Sequence, residues 1–252
     1  MNNYIIIIMF IIIIVIILII FNFKNYFKKI DDTVDIRDEN NNRIYIRYNI
    51  NIRDENDNII NTNYFEKPEK DLVYKYIKSN DTVLELGARY GSVSCIINSK
   101  LKNKMNQVSV EPDDTIWEAL ENNKKRNNCE FNIVKGFVSN KKLDLIKKKA
   151  FGMVDLSYGT TSIESDNTSI KSFSLDEIQN KYNIKFNVLV ADCEGFLETF
   201  LDENPTIYDN LRLIIFEADY PDKCNYDKIK NNLISKKFIS KENGFQNVWI
   251  KN

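Results

Sequence analysis

Three patterns of apolar and polar positions follow one another along the chain. From Tyr4 to Phe21 all 18 residues are apolar or aromatic, twelve of them Ile. As a helix this run would span about 27 Å, close to the roughly 30 Å of a bilayer's hydrocarbon core. Further on the pattern has period two: Ile44, Ile46, Tyr48, Ile50 and Ile52 alternate with Arg43, Tyr45, Arg47, Asn49, Asn51 and Arg53. Such alternation predicts a strand, and the flanking Asp/Asn clusters predict turns. These clusters include two copies of Ile-Arg-Asp-Glu-Asn, at 36–40 and 52–56. Residues 24–63 therefore read as a juxtamembrane segment holding a β-hairpin or small meander.

From Tyr64 to the C-terminus, strand-length apolar runs alternate with helical patterns. Helices are predicted over Glu69–Ser79, Ser92–Leu101 and Asp114–Lys125. Strands are predicted over Thr82–Leu86, Gln107–Glu111, Phe131–Lys135, Phe186–Ala191 and Leu211–Phe216. Ser174-Leu175-Asp176-Glu177 has the S-x-x-E form of a capping box and predicts a helix to about Tyr182. Phe238–Lys241 and Phe245–Lys251 flank Glu242-Asn243-Gly244, a hairpin signal. Alternating β and α elements imply one α/β domain over residues 64–252. Its mostly parallel sheet would be covered on both faces, with the terminal hairpin supplying an antiparallel edge strand.

Charge changes this picture at the N-terminus. Residues 1–23 hold no Asp, Glu, Lys or Arg, so all 35 basic and 36 acidic side chains lie beyond the apolar head. Met1-Asn2-Asn3 carries no basic residue, and the run exits into Asn22–Lys29 without Ala or Gly, which argues for an uncleaved anchor over a signal peptide. Lys24, Lys28 and Lys29 on the C-terminal flank place the domain on the cytoplasmic side of a single-pass membrane protein. A net charge of -1 gives no long-range attraction to a polyanion, so no nucleic-acid partner is expected. The Lys-rich stretch Lys141–Lys149 reads as a solvated helix face.

The chain has no histidine, which removes Ser–His and Cys–His nucleophilic pairs and His-ligated metal sites. Any side-chain base must be Asp, Glu, Lys, Tyr or Cys. Cys95, Cys129, Cys193 and Cys224 form no C-x-x-C and read as small, mostly buried residues of a reducing compartment.

Candidate chemistry begins at Val83–Gly91, where a strand carries Glu85 and then turns through Gly87-Ala88-Arg89-Tyr90-Gly91 into a helix. Two glycines permit a sharp turn and close approach of a ligand, and the next helix offers free N–H groups. Glu111 ends the following strand, where a carboxylate can accept both ribose hydroxyls of a nucleoside cofactor. A nicotinamide turn would place Gly where Arg89 stands, and acidic Glu85 would repel a pyrophosphate but suit a cationic donor. Both features favour S-adenosylmethionine over NAD. Asp192 and Glu194 follow a buried strand at the sheet edge where α/β folds bind ligands. Without histidine a carboxylate there is the natural base for a hydroxyl. Glu217 and Asp219, at the next strand end, would complete an acidic rim able to hold a divalent cation; no metal is assigned. Cys193, between two acids, reads as a packing residue.

The blocks Glu85–Ser94, Val108–Pro112, Glu121–Asn128, Ser174–Glu177, Ala191–Phe196 and Leu213–Glu217 resemble, in order and spacing, those of the FkbM-type methyltransferases. The resemblance covers roughly residues 64–220. It implies a class I methyltransferase fold with a seven-stranded sheet, S-adenosylmethionine as cofactor, and methyl transfer to a hydroxyl of a sugar, glycan or glycolipid. Under it Glu85, Gly87, Ala88, Tyr90, Gly91, Glu111, Pro112 and Phe137 hold the cofactor, and Asp192 and Glu194 act in catalysis. Val190 departs from the family pattern, which has Lys there. A catalytically silent binding module is the alternative that Val190 supports. The Gly/Ser/Thr-rich segment 152–172 is expected to act as an acceptor lid.

Overall fold

The computed structural model describes residues 36, 37, 42, 46–147 and 160–251. The apolar run 4–21 lies outside the described residues. Among the described residues no helix is long and apolar enough to cross a membrane. The chain divides into two compact units, Met1–Tyr45 and Ile46–Asn252. The second unit holds every helix and strand found among the described residues.

The first helix, α1 (Lys67–Tyr76), starts where Pro68, which lacks an N–H, costs no intrahelical bond. Strand β1 (Val83–Leu86) then leads into α2 (Ser92–Lys100), and β2 (Gln107–Glu111) through a short 3-10 turn into α3 (Trp117–Arg126). Strand β3 (Asn132–Lys135) is followed by four short strands in two separate pairs. These are β4 (Phe137–Val138), β5 (Leu143–Lys147), β6 (Thr160–Glu164) and β7 (Ser172–Phe173), with β4 parallel to β7 and β5 antiparallel to β6. The capping box forms as the sequence requires. Ser174 Oγ accepts from Glu177 N, and the Glu177 carboxylate accepts from Ser174 N at 2.7 Å, opening α4 (Leu175–Tyr182). The chain continues through β8 (Val188–Ala191), α5 (Leu197–Glu203), α6 (Ile207–Asn210), β9 (Leu213–Glu217), α7 (Tyr226–Ser235), β10 (Phe238–Asn243) and β11 (Gln246–Lys251).

The main sheet has seven strands in the order β10-β11-β9-β8-β1-β2-β3. β1 is parallel to both β2 and β8, β8 to β9, and β2 to β3, while β11 is antiparallel to both β9 and β10. Every residue of β1, β2 and β8 is buried, which accounts for the largely apolar sequences of β1 and β8, while β2 (Gln107–Glu111) buries polar Gln107, Ser109 and Glu111 as well. From β1 the chain runs outward through β2 to β3, and only then crosses back to β8 on the other side of β1, so the strand order reverses between β1 and β8. The crevice at the carboxyl ends of these strands is thus a topological switch point. This order, with its one antiparallel strand second from the edge, is the Rossmann-like arrangement of class I methyltransferases.

Four expectations need correction. The terminal hairpin does not add an antiparallel edge strand: β11 lies inside the sheet, and β10, whose burial alternates along its length, forms the edge. Lys141–Lys149 is not a helix face as far as it is described. Leu143 is buried and Leu145 packs against the core, and that period-two placement makes Leu143–Lys147 a strand. Three helices, α5, α6 and α7, arise outside the helical patterns read along the chain.

The fourth correction concerns the alternating segment. Over 46–52 no strand forms, although burial alternates as the pattern demands, with Tyr48 and Ile52 buried and Asn49 and Asn51 exposed. The partner is a helix, not a strand. Asn127 Oδ1 accepts from Asn51 N at 2.7 Å while Asn127 Nδ2 donates to Asn51 O at 2.9 Å. One turn earlier in α3, Asn123 does the same for Arg53, at 3.0 and 2.8 Å. Two side-chain amides at i and i+4 supply the bonds that a neighbouring strand would have given. An isolated antiparallel bridge, Arg53 with Ile59, closes the loop that comes next. Ile52 packs with Ala88, Tyr90, Cys95, Leu120 and Phe131, so residues from Ile46 onward are part of this compact unit.

Candidate active site

A cleft of about 750 Å³, mouth included, opens at the carboxyl ends of β1, β2 and β8. Of the residues singled out from sequence, Gly87, Glu111, Pro112, Phe137, Asp192 and Glu194 line it. The lining also includes Glu66, Arg89, Asp113, Gly136, Thr160 and Ser162, none of which the motifs assign to the cofactor or to catalysis.

Gly87 turns with φ +89°, and a Cβ there would stand 1.8 Å from the Asp192 carbonyl oxygen. This is the closest approach of the turn after β1 to the turn after β8, and it fixes Asp192 against the cleft floor. Gly87 N and Ala88 N both donate to Val110 O at 3.0 Å, so the same turn is also tied to β2. Arg89 follows with φ +42°, a conformation uncommon in a side-chain-bearing residue, and its N–H donates to Glu111 Oε2 at 2.7 Å. Glu111 Oε1 accepts from Asp113 N at 2.7 Å. Each carboxylate oxygen keeps a second lone-pair direction. Burial raises the Glu111 pKa to about 7, against the lowering effect of those two backbone donors. Trp117 Nε1, donating to Glu111 O at 2.8 Å, holds the strand end in place.

The turn Asp192-Cys193-Glu194-Gly195 places two consecutive residues in the left-handed region, Glu194 at φ +51° and Gly195 at φ +86°. A Cβ on Gly195 would meet Lys223 and Tyr220 at 3.0 and 3.1 Å, so glycine keeps this turn pressed on the loop after β9. One carboxylate oxygen from each of Asp192, Glu194 and Asp219 lies within 4.8 Å of the other two. Burial, a hydrogen bond shared with Asp219 and the charge of Asp192 push the Glu194 pKa up to about 9. Glu194 therefore favours its protonated form at neutral pH. Asp192 does not cap α5, whose N-cap is Phe196. Cys193 is half-buried, and burial, followed by the charge of Asp192, raises its thiol pKa, in keeping with a packing role.

Other sequence expectations are displaced. Glu85 is buried away from the cleft. Its Oε2 accepts from Ser94 Oγ at 2.6 Å and Ser109 Oγ at 2.5 Å, and burial lifts its pKa to about 7. Ala88 and Tyr90 belong to the apolar cluster beneath the loop, with the Tyr90 hydroxyl donating to the Glu55 carboxylate, and Gly91 caps α2 against Leu120. None of these three lines the cleft. The carboxylate that takes Glu85's expected place is Glu66, at φ +50° just before α1, whose pKa burial and the charge of Asp192 raise to about 8. Glu66 immediately precedes Lys67-Pro68, which marks a helix start but says nothing of which way the acid faces. Val190 is fully buried between β1 and β9, so β8 delivers no cation to the site. Lys223, from the loop after β9, donates to Thr161 Oγ1 at 2.7 Å, beside the Thr160 and Ser162 wall. Of the expected lid, 152–159 lies outside the described residues, while Thr160 and Ser162 border the cleft.

No protein-family model matches this sequence, and no curated protein matches it. Among solved structures, the chain is similar to precorrin-6y C5,15-methyltransferase from Geobacter metallireducens. That likeness has a TM-score of 0.46 and 11% identity and covers 74% of this chain and 89% of that one. A ribosomal protein L11 methylase from Lactobacillus delbrueckii has a TM-score of 0.43 and 15% identity, over 75% and 80% of the two chains. An O-methyltransferase from Bacillus cereus in complex with SAH has a TM-score of 0.42 and 12% identity, over 73% and 79%. These are likenesses of chain course, and what the site can do rests on its own residues. The resemblance to FkbM-type methyltransferases rests on the motif blocks alone.

Proposed function

We propose that this chain is an S-adenosylmethionine-dependent methyltransferase of the FkbM type, acting on a hydroxyl of a sugar, glycan or glycolipid and held at a membrane by residues 4–21. The observation that carries the reading is the carboxyl-rich lining of the cleft. Its lining has five carboxyl side chains, Glu66, Glu111, Asp113, Asp192 and Glu194, against one arginine, Arg89. That suits a donor bearing a sulfonium and an ammonium and opposes the pyrophosphate of a nicotinamide cofactor. Glu111 is placed to accept from ribose hydroxyls, and Leu86, Val110, Phe137 and Val138 offer apolar walls for a base. When bound, S-adenosylmethionine supplies an electrophilic methyl group. The chain's own task is to orient the acceptor and take its proton, for which Asp192 is the carboxylate best placed.

Calorimetric titration of the chain with S-adenosylmethionine tests the cofactor reading. Glu111→Ala should weaken binding by roughly 1.5–3 kcal/mol, the range for hydrogen bonds to a charged group. The sign of the pH effect is also set. A cation binds the ionised carboxyls, whereas burial favours the protonated forms of Glu111 and Glu66, with pKa values of about 7 and 8. Affinity should therefore rise between about pH 6 and pH 9, with proton release on binding. Binding of NAD in place of the methyl donor would overturn the reading, and donor binding without turnover on any sugar acceptor would favour the silent module.

The anchor has its own test. In a cell fractionation the full chain should stay with membranes through an alkaline carbonate wash, and deletion of residues 1–23 should release it. A full chain already found in the wash supernatant would reject the anchor.

A further inference from the structure

Cys95 and Cys129 are 34 positions apart in sequence, yet their Sγ atoms lie 2.9 Å from each other. Cys95 sits in the first turn of α2, its N–H donating to Gly91 O, directly behind the loop that lines the cleft. Cys129 stands where the chain leaves α3 for β3. The two backbones are held in register independently of the sulfurs. Asn98, three residues after Cys95, accepts from Glu130 N at 3.0 Å, and Cys129 N donates to Lys124 O at 2.9 Å. Closing a bond between the sulfurs thus requires under about 1 Å of movement to reach a disulfide's S–S separation of about 2 Å.

We propose that Cys95 and Cys129 form a peroxide-oxidisable dithiol, a modification site built behind the cofactor loop. The two thiols are unequal in the way such a reaction needs. Cys129 is half-buried, and Cys95 is buried beneath it. The hydrogen bond shared with Cys95, with the Lys104 and Lys124 ammonium groups nearby, lowers the Cys129 pKa. The same hydrogen bond, with burial, raises that of Cys95. The Cys129 thiolate is the attacking group. It displaces hydroxide from hydrogen peroxide and becomes a sulfenic acid, and the hydroxide leaves as water after taking a proton. Cys95 sulfur then attacks the sulfenic sulfur, its thiol proton leaving with the departing hydroxyl as a second water. Two thiols and one peroxide give one disulfide and two waters, each sulfur losing one electron. The other two cysteines are less reactive by the same criteria. Cys224 is buried with its pKa pushed by burial up to about 11, and Cys193 is raised by burial and by Asp192.

The test is limited oxidation of the full chain with hydrogen peroxide, read by thiol titration, intact mass and a non-reducing peptide map. Reactive thiols should fall from four to about two, with a mass loss of about 2 Da and a Cys95–Cys129 linked peptide, all reversed by dithiothreitol. In Cys95→Ser, where a hydroxyl keeps the hydrogen bond to Cys129 but no resolving thiol remains, Cys129 should instead overoxidise and gain about 32 Da as sulfinic acid. A linkage between two chains, first oxidation at Cys193 or Cys224, or a Cys129 that stays a thiol in the Cys95→Ser variant would each overturn the proposal.

Discussion

Gly87→Ala is expected to cost the fold about 2–5 kcal/mol and to abolish measurable donor binding. The first contribution is conformational, since an L-residue in the left-handed region costs about 1–2 kcal/mol and Gly87 sits at φ +89°. The second is steric. The new Cβ would lie 1.8 Å from the Asp192 carbonyl oxygen, a backbone atom that cannot rotate away. Either the turn after β1 or the turn after β8 must shift, and overpacking of that kind adds about 1–3 kcal/mol. Against a net stability of about 5–15 kcal/mol this is a large loss. The steric cause differs from intrusion into the ligand's space, which the sequence suggests for a bulkier substitution here. Gly91→Ala is the control: it shares the positive φ, +80°, but its Cβ would meet the flexible Leu120 Cδ1 at 2.8 Å. That variant should lose about 1–2 kcal/mol and still bind donor. Denaturation midpoints and donor titration on both variants decide the matter, and equal losses in the two would show that the contact with Asp192 is not the cause.

Asp192→Asn is expected to lower turnover about 10²–10⁴-fold, the usual contribution of a general base, with donor affinity and melting temperature nearly unchanged. Glu194→Gln should do far less. Glu194, with its pKa of about 9, already holds a proton at neutral pH and shares a hydrogen bond with Asp219, and an amide N–H can replace that donor. The sequence treats the two acids as an equivalent pair, and the geometry separates them. The pH–rate profile carries the sign of the effect. If Asp192 is the base, the acidic limb disappears in Asp192→Asn and survives in Glu194→Gln. A wild-type profile that climbs until about pH 9, and flattens in Glu194→Gln, would instead make Glu194 the base. Undiminished turnover in a stable double variant would remove both and turn attention to Asp219 or a bound divalent cation.

Much of the fold is legible along the chain because it depends on local rules. β1, β8 and β9 announce themselves as mostly apolar runs of strand length, and β2, with Val108 and Val110 between polar residues, occupies the residues expected of it, Gln107–Glu111. The Ser174 capping box satisfies backbone groups within one turn, so four residues suffice to predict it. A turn with glycines at 87 and 91, and an acid at the end of β2, are likewise legible, since a backbone that must adopt positive φ restricts which residues can occupy it. What required the tertiary structure is what depends on partners distant in sequence. The alternation at 46–52 correctly marks a buried face, but only the placement of Asn123 and Asn127 on α3 decides that amides, not a strand, take up its backbone bonds. Glu85 and Glu66 are both acids near the turn in sequence or space. Which one meets the cleft depends on Ser94 and Ser109 closing around Glu85 and on a left-handed residue turning the chain at Glu66. Asp192 and Glu194 are two residues apart and chemically alike until Asp219, 25 positions beyond Glu194, comes within hydrogen-bonding range and keeps a proton on one of them. Sequence spacing fixes the period and the turn chemistry because those act over a few bonds. Burial, charge pairing and proton ownership act through space, and they are settled only when the sheet has brought β1, β2, β8 and β9 side by side.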